Sequence, residues 1–522
     1  MTQGRPIDYE LALLELELAT SAEMNNSRWQ VAFEQARDGW RLARAQQLLR
    51  LVKSRAVDVQ THSAIRYLEG TLLVRLGDWP AAKDAFERAL VLKRSTGDRE
   101  GEMVVLNALA NLLRRLEQPL EEGIRLLEQA LTIAGERHDA QAEATLHNSF
   151  GLARYAQGRL DQAEEHYRQA LAFFEAQRPA QAATILHNLG SLFWTQGKLA
   201  EAETAFTTAL QLQTAWQDSH GQAETLNSLG LIHEARGEWA VAAQTYEQSL
   251  SLLQQSGDLY GQVQVLTNLG NVGWLQGDYA QTLTQHEQAL ALAEDLGDVK
   301  LQGQVLTGLG DTYRMLNRPD EAEQAFRAAL AHKQAAGDQR SLKHTYLNLG
   351  SFYHTRHQFD QAAQAYHQAL RLAQQQQDTR IEAFTWLNLG KLAALQGNGQ
   401  EANAHLAAAD RIALQAGYWD CLADACRVRG DLEMLQPEPD ALRLVQLYAE
   451  ACVHAANFNQ RKLEEIVDYL VALWTAHAED GYADQALWFC ESIIALWQEV
   501  GHAAQHPSLV RAFEDLKARL GQ

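Results

Sequence analysis

Residues 181–210 read QAATILHNLGSLFWTQGKLAEAETAFTTAL, and this stretch decides the fold. Its first half places Ala182, Ile185, Leu186, Leu189 and Phe193 at steps of three and four, one apolar face of a helix. Gly197 then reads as a turn, because glycine just past a helix end takes the left-handed conformation that satisfies the last carbonyls. Leu199 opens a second helix, in which Ala202, Phe206 and Ala209 stand 12, 16 and 19 residues after Gly190.

The same pattern runs along the chain. The tetrapeptide x-N-L-G occurs at His187–Gly190, Thr267–Gly270, Leu347–Gly350 and Leu387–Gly390. Weaker copies extend the register to Gly70, Ala110, Gly151, Gly190, Gly230, Gly270, Gly310, Gly350, Gly390 and Gly430, with spacings of 40, 41, 39 and then 40 throughout. Turn glycines follow at Gly77, Gly158, Gly237, Gly277 and Gly397, and Trp79, Leu160, Trp239, Tyr279, Pro319 and Phe359 open the second helices. A large side chain (Phe86, Tyr167, Phe206, Tyr246, Phe326, Tyr366) recurs between two small ones, exemplified by Ala82 and Ala89. A glycine inside a helix costs about 1 kcal/mol relative to alanine, so glycines kept in register imply close packing, with the aromatic filling the gap between units. Gly97-Asp98, Gly257-Asp258, Gly297-Asp298 and Gly337-Asp338 join a helix-ending glycine to an aspartate that caps the next helix. Arg178-Pro179 replaces one such junction and accounts for the 39-residue unit, and Gln118-Pro119 opens a helix whose alanine, Ala130, comes one residue late.

This register resembles the tetratricopeptide repeat, whose small residues sit at the same offsets, over residues 56 to about 434. The family's usual unit is about 34 residues; the longer unit here is similar to those of kinesin light chains, Leu-Gly-Asn-rich adaptors and bacterial peptide-sensing regulators. The resemblance implies an all-α, right-handed α-solenoid of about ten helix pairs, with helical caps at both ends. Residues 1–55 are expected to hold helices over about Ile7–Ala22 and Arg28–Lys53, the second with a stripe of Trp29, Phe33, Ala36, Trp40 and Ala43; they form a cap or a docking element. Beyond the proline-rich break at 436–440, residues 435–522 read as a degenerate repeat and capping helices, including Leu463–His477 and Tyr482–Trp497, with Ala486 and Cys490 as relics of the register.

Composition narrows the function. The chain has 522 residues, 66 acidic against 45 basic side chains, a net charge of −21 and 46% hydrophobic residues. An acid excess without a basic patch argues against nucleic acid. No apolar run approaches the roughly 18 residues of a membrane span, and no secretory signal opens the chain, so a cytoplasmic protein is expected. Gly197-Lys198 and Gly390-Lys391 lack the rest of a phosphate loop, and His233-Glu234 and His286-Glu287 lack the second histidine of a zinc protease motif. His354 and His357 have ligand-like spacing, but the register puts His357 in a turn. Cys421, Cys426, Cys452 and Cys490 have no zinc spacing and read as reduced, partly buried thiols. No catalytic set, metal or cofactor is expected.

In the repeat family, function resides on the inner surface lined by first helices. The resemblance places there Asn107, Asn111 and Arg114; Asn148 and Tyr155; His187, Asn188 and Trp194; Asn227 and Glu234; Asn268, Asn271 and Trp274; Asp311 and Arg314; Asn348 and His354; Asn388 and Lys391. A carboxamide both donates and accepts, so a row of asparagines suits the backbone of an extended peptide, or else bonds to the neighbouring helix and shapes the groove. Trp194 and Trp274 are side-chain anchors or core residues. Inward basic residues are few and scattered, which disfavours a clamp for a C-terminal carboxylate. The expected function is a scaffold or adaptor holding a neutral or basic peptide or protein segment; the alternative is a sensor acting on a separate effector chain. Neither the partner nor the oligomeric state is legible.

Overall fold

Helix boundaries follow from the turn chemistry. The computed structural model describes residues 30, 33–34, 42–53, 59–116, 120–458, 460–499 and 507–520. Among these, the first helices of the repeats are α2 (Val59–Arg75), α4 (Arg99–Arg115), α6 (Ala140–Ala156), α8 (Pro179–Thr195), α10 (Ser219–Ala235), α12 (Leu259–Gln276), α14 (Val299–Met315), α16 (Gln339–Thr355), α18 (Thr379–Leu395) and α20 (Trp419–Met434). Each precedes its second helix: α3 (Trp79–Ser95), α5 (Leu120–Glu136), α7 (Leu160–Gln177), α9 (Leu199–Ala215), α11 (Trp239–Ser256), α13 (Tyr279–Leu296), α15 (Pro319–Ala335), α17 (Phe359–Gln375), α19 (Gly399–Ala416) and α21 (Ala441–Phe458). Helix α1 (Leu42–Lys53) comes before them; α22 (Gln460–His477), α23 (Ala483–Glu499) and α24 (Pro507–Leu520) come after. No strand occurs among the described residues.

The expected starts Trp79, Leu160, Leu199, Trp239, Tyr279, Pro319 and Phe359 are the first residues of their helices. Asp98, Asp258, Asp298 and Asp338 each accept a hydrogen bond from the backbone N–H three residues on. Asp139, Asp218 and Asp378 cap identically, although His138, Gln217 and Gln377 precede them in place of glycine. These three residues hold φ of 53°, 56° and 55°, so the junction geometry persists where its glycine signal does not. Pro179 occupies the first turn of α8, where its missing N–H costs no hydrogen bond.

The chain divides into two compact units, Met1–Leu292 and Ala293–Gln522. In the first, the repeat glycines are seats for rings. A methyl at Gly190 would lie 2.7 Å from Cδ1 and Cε1 of Phe206, and one at Gly70 would lie 2.6 Å from the same atoms of Phe86. The ring therefore fills space inside its own pair as well as between pairs, where Phe206 also packs with Leu229 and Ile232 of the next first helix. Ala82, Ala89, Ala202 and Ala209 are fully buried. In the repeat of Gly270 the buried His286 takes the ring's place, and Thr282 takes the alanine's. Phe33, Ala45, Leu48 and Val52 pack with Ile65, Leu68 and Leu72 of α2. The expected helix over Ile7–Ala22, the stripe residues Trp29, Ala36 and Trp40 of the helix after it, and Gln118-Pro119 lie outside the described residues, while Ala43 falls within α1.

In the second unit, Phe326 and Tyr366 seat on Gly310 and Gly350, while Leu406 replaces the ring at Gly390. Tyr448 seats on Gly430, so α20 and α21 keep the pairing across the proline-rich segment between them. Tyr448, Trp474, Phe489, Trp497 and Phe513 build the terminal core, with the Trp474 and Phe489 rings stacked 4.2 Å apart. Ala486 and Cys490 are fully buried within it. All four cysteines are free and buried, and burial pushes each thiol up.

Candidate binding face of the first helices

In the repeats of Gly190, Gly230, Gly270, Gly310 and Gly350, helical spacing leaves the residues two and three before the key glycine half-exposed, beside the buried leucine that precedes it. In the first unit these side chains meet across neighbouring first helices. Asn188 Nδ2 donates to Asn148 Oδ1 at 2.9 Å, joining α8 to α6. Asn268 Nδ2 donates to Asn227 Oδ1 at 2.9 Å, joining α12 to α10. Asn111 Nδ2 donates to Ser149 Oγ at 3.1 Å and to Asn107 Oδ1 at 3.2 Å. Between the two asparagine pairs, His187 Nδ1 lies 3.1 Å from Thr225 Oγ1, and burial lowers the pKa of that imidazole. Tyr155 and Thr195 share a hydroxyl–hydroxyl bond of 2.6 Å.

The remaining expected residues of this unit are placed differently. Trp194 is half-buried against the cluster of Ala202, Phe206, Leu229 and Ile232. Trp274 is half-buried and meets Tyr279 edge-on, and its Nε1 is buried without an acceptor among the described residues. Asn271 is exposed. Burial raises the carboxyl pKa of Glu234, which accepts from the Tyr246 hydroxyl at 3.2 Å.

Charged residues replace amides in the second unit. Asn348 Nδ2 donates to Asp311 Oδ2 at 2.5 Å, joining α16 to α14. Burial lifts the Asp311 carboxyl to about 6, against the opposing pull of Arg314, whose guanidinium is 3.5 Å away, and of Asn348. Lys391 and Lys462 reach Asp424 at 2.9 and 2.8 Å, linking α18, α20 and α22. Burial works against the Asp424 charge, but the two ammonium groups outweigh it and hold the carboxyl at about 2. His354 Nδ1 lies 3.4 Å from the Tyr366 hydroxyl within one repeat, and Asn388 is half-buried. His357 lies in the turn at φ 58°.

Sequence reasoning passed over Ser149, Thr195, Thr225, Asp424 and Lys462. Position in the register would have found Ser149 and Asp424, because both lie on first helices within six residues of the key glycine. Lys462 follows the repeats and carried no such signal. Among the described residues no group of three metal-ligating side chains converges, and no helix is long and apolar enough to cross a membrane.

Models of the tetratricopeptide repeat match residues 103–176, 181–255, 262–335 and 345–380. A search of curated proteins finds no sequence relative of this chain. Among solved structures, one similar chain is a signal-transduction ATPase with a tetratricopeptide-repeat sensor from Pyrococcus horikoshii. It is 13% identical with a TM-score of 0.50, over 83% of this chain and 70% of that one. Aspartyl phosphate phosphatase F of Bacillus subtilis is also 13% identical, with a TM-score of 0.45 over 68% and 96%. BtubC of P. vanneervenii is 23% identical, with a TM-score of 0.36 over 40% and 88%. At these identities the likeness concerns the fold alone. The glycine register, the ring seated on most of its glycines, the paired helices and the matched repeats agree: the chain belongs to the tetratricopeptide repeat proteins.

Proposed function

We propose that the face of the first helices binds an extended peptide or protein segment, neutral or basic, and that the protein acts in the cytoplasm as a scaffold or adaptor. The observation that carries this reading is the unused hydrogen-bonding capacity of the asparagine pairs. Each pair bonds through one donor and one acceptor, leaving Asn148 Nδ2 and Asn188 Oδ1, and Asn227 Nδ2 and Asn268 Oδ1, without a partner among the described residues. A carboxamide donor and acceptor on each of two successive pairs complements the alternating N–H and C=O of an extended backbone, with no demand on its side chains. Exposed Asn271 and half-buried Trp194 and Trp274 add contacts beside them. A net charge of −21 favours neutral or basic segments over nucleic acid or anionic membrane.

The test uses peptides selected against the whole protein from a random library, with affinity read by fluorescence anisotropy. The informative variant is Asn148→Asp with Asn227→Asp. It keeps the acceptors for Asn188 and Asn268, as Asp311 does for Asn348, and removes the outward donors. Neutral peptides should bind about tenfold more weakly to it for each lost backbone contact, with circular dichroism unchanged. Equal affinity for both proteins would refute the assignment. Scattering measurements on the complex then separate the roles, since compaction on binding marks a sensor and an unchanged radius an adaptor.

A further inference from the structure

Two arginines that the sequence separates by a full repeat meet at one cleft in the second unit. Arg314, near the end of α14, and Arg356, just past the end of α16, line a cavity of about 480 Å³ with Asn317, Pro319, Phe352 and Thr355. Among the described residues the two guanidinium groups have a single ion pair between them, Arg314 with Asp311. Arg356 forms no ion pair among the described residues and lies exposed, 5.8 Å from the centroid of the Phe352 ring. Arg314 has one distant carboxylate, Asp311 at 3.5 Å, and its buried Nε finds no acceptor among the described residues. The first turn of α15 opens beside them at Pro319, with no side-chain cap on its N–H groups. Of the acidic groups nearby, Asp311 accepts from Asn348 and pairs with Arg314, Glu321 pairs with Arg318 at 2.9 Å, and Glu323 pairs with Arg327 and accepts from Tyr353, while Asp320 stands in the first turn of α15 beside Pro319. Two underused cations in a strongly acidic chain, with the rings of Pro319 and Phe352 as an apolar wall, form a cradle for a negatively charged group.

We propose that this cleft binds an oxyanion, the carboxylate or phosphate of a small molecule or peptide, clasped between the guanidinium groups of Arg314 and Arg356. A planar guanidinium offers paired N–H donors that match carboxylate and phosphate oxygens. Pro319 and Phe352 cover the apolar body that carries the anion. The site shares Arg314 with the proposed peptide face but adds a ligand chemistry that the asparagine pairs do not read. Arg356 is absent from that face, and Asn148 and Asn227 are absent from the cleft, so the two readings fail independently.

Three probes are titrated against the full chain by equilibrium dialysis: inorganic phosphate, N-acetylphenylalanine with its free carboxylate, and N-acetylphenylalanine amide. Phosphate or the carboxylate should bind, more weakly as salt is raised, and the amide should not. Arg356→Gln should lower anion affinity about tenfold without changing circular dichroism, because that side chain is exposed and unpaired; Arg314→Gln should lower it likewise. Binding of phosphate alone identifies a phosphate-bearing ligand, and binding of the carboxylate alone a carboxylic acid. No binding of either anion at millimolar concentration, or equal binding by wild type and Arg356→Gln, would overturn the proposal.

Discussion

Replacing Gly190 by alanine sets two effects of opposite sign against each other. In a solvent-facing helix the substitution gains about 1 kcal/mol through propensity. Here the new methyl would lie 2.7 Å from Cδ1 and Cε1 of Phe206 and 3.0 Å from Cγ. Carbon atoms are comfortable at about 3.5–4.0 Å, so the ring must retreat by roughly 1 Å. It has little room to do so, since Phe206 is 2% exposed and packs with Ala202, Leu229 and Ile232. Overpacking of this kind costs about 1–3 kcal/mol. The difference leaves Gly190→Ala about 1 kcal/mol less stable than wild type, with a range of about 0–2. A double-mutant cycle with Phe206→Leu isolates the clash, because the repeat at Gly390 already seats a leucine, Leu406. The pair should be less destabilised than the sum of the single variants by about 1–2 kcal/mol. Urea denaturation gives the energies. Amide exchange along α8 and α9 shows whether the loss is local, as stacked repeats need not unfold in one step. A Gly190→Ala protein about 1 kcal/mol more stable than wild type, with no coupling to Phe206, would refute the close-packing argument.

His286, seated where other repeats hold a ring, is buried and its pKa falls to about 4, below its unfolded value, so protonation opposes folding. Stability should therefore fall as pH drops from about 6.5 towards 4. His286→Phe should remove this acid sensitivity, giving an advantage near pH 5 that is about 2 kcal/mol larger than at pH 8. An equal difference at both pH values in urea titrations would contradict it. Asp311 has the opposite sign of dependence, because burial raises its folded pKa to about 6 and the charged form weakens the fold above the unfolded value. Asp311→Asn retains an acceptor for Asn348, so it should be about 2–3 kcal/mol more stable than wild type at pH 8, the gap closing as pH falls through 6 to 4. A variant less stable at pH 8 would show that the bond to Arg314 outweighs desolvation.

The sequence by itself determined the helix pairs, because their signals are local. Apolar spacing, a glycine at Gly197 or Gly257, and a capping aspartate such as Asp258 act within a few residues, and the structure reproduces their boundaries. Where the glycine is missing, at His138, Gln217 and Gln377, the left-handed turn survives because the flanking helices and the aspartate cap impose it. The family resemblance singled out positions on the first helices, and Asn148, Asn188, Asn227 and Asn268 are half-exposed there. It carried no information on partners, because a hydrogen bond between residues about 40 apart depends on how one helix pair rests on the next. Only tertiary structure decided that the asparagines bond pairwise, that Lys391 and Lys462 converge on Asp424, and that His286 sits under Gly270. It likewise brought Arg314, one of the few inward basic residues, to one cleft with Arg356, which the register had not singled out. The physical reason is range: dihedral preference and capping are properties of neighbours in the chain, whereas desolvation, pairing of charges and the seating of a ring on a glycine belong to neighbours in space.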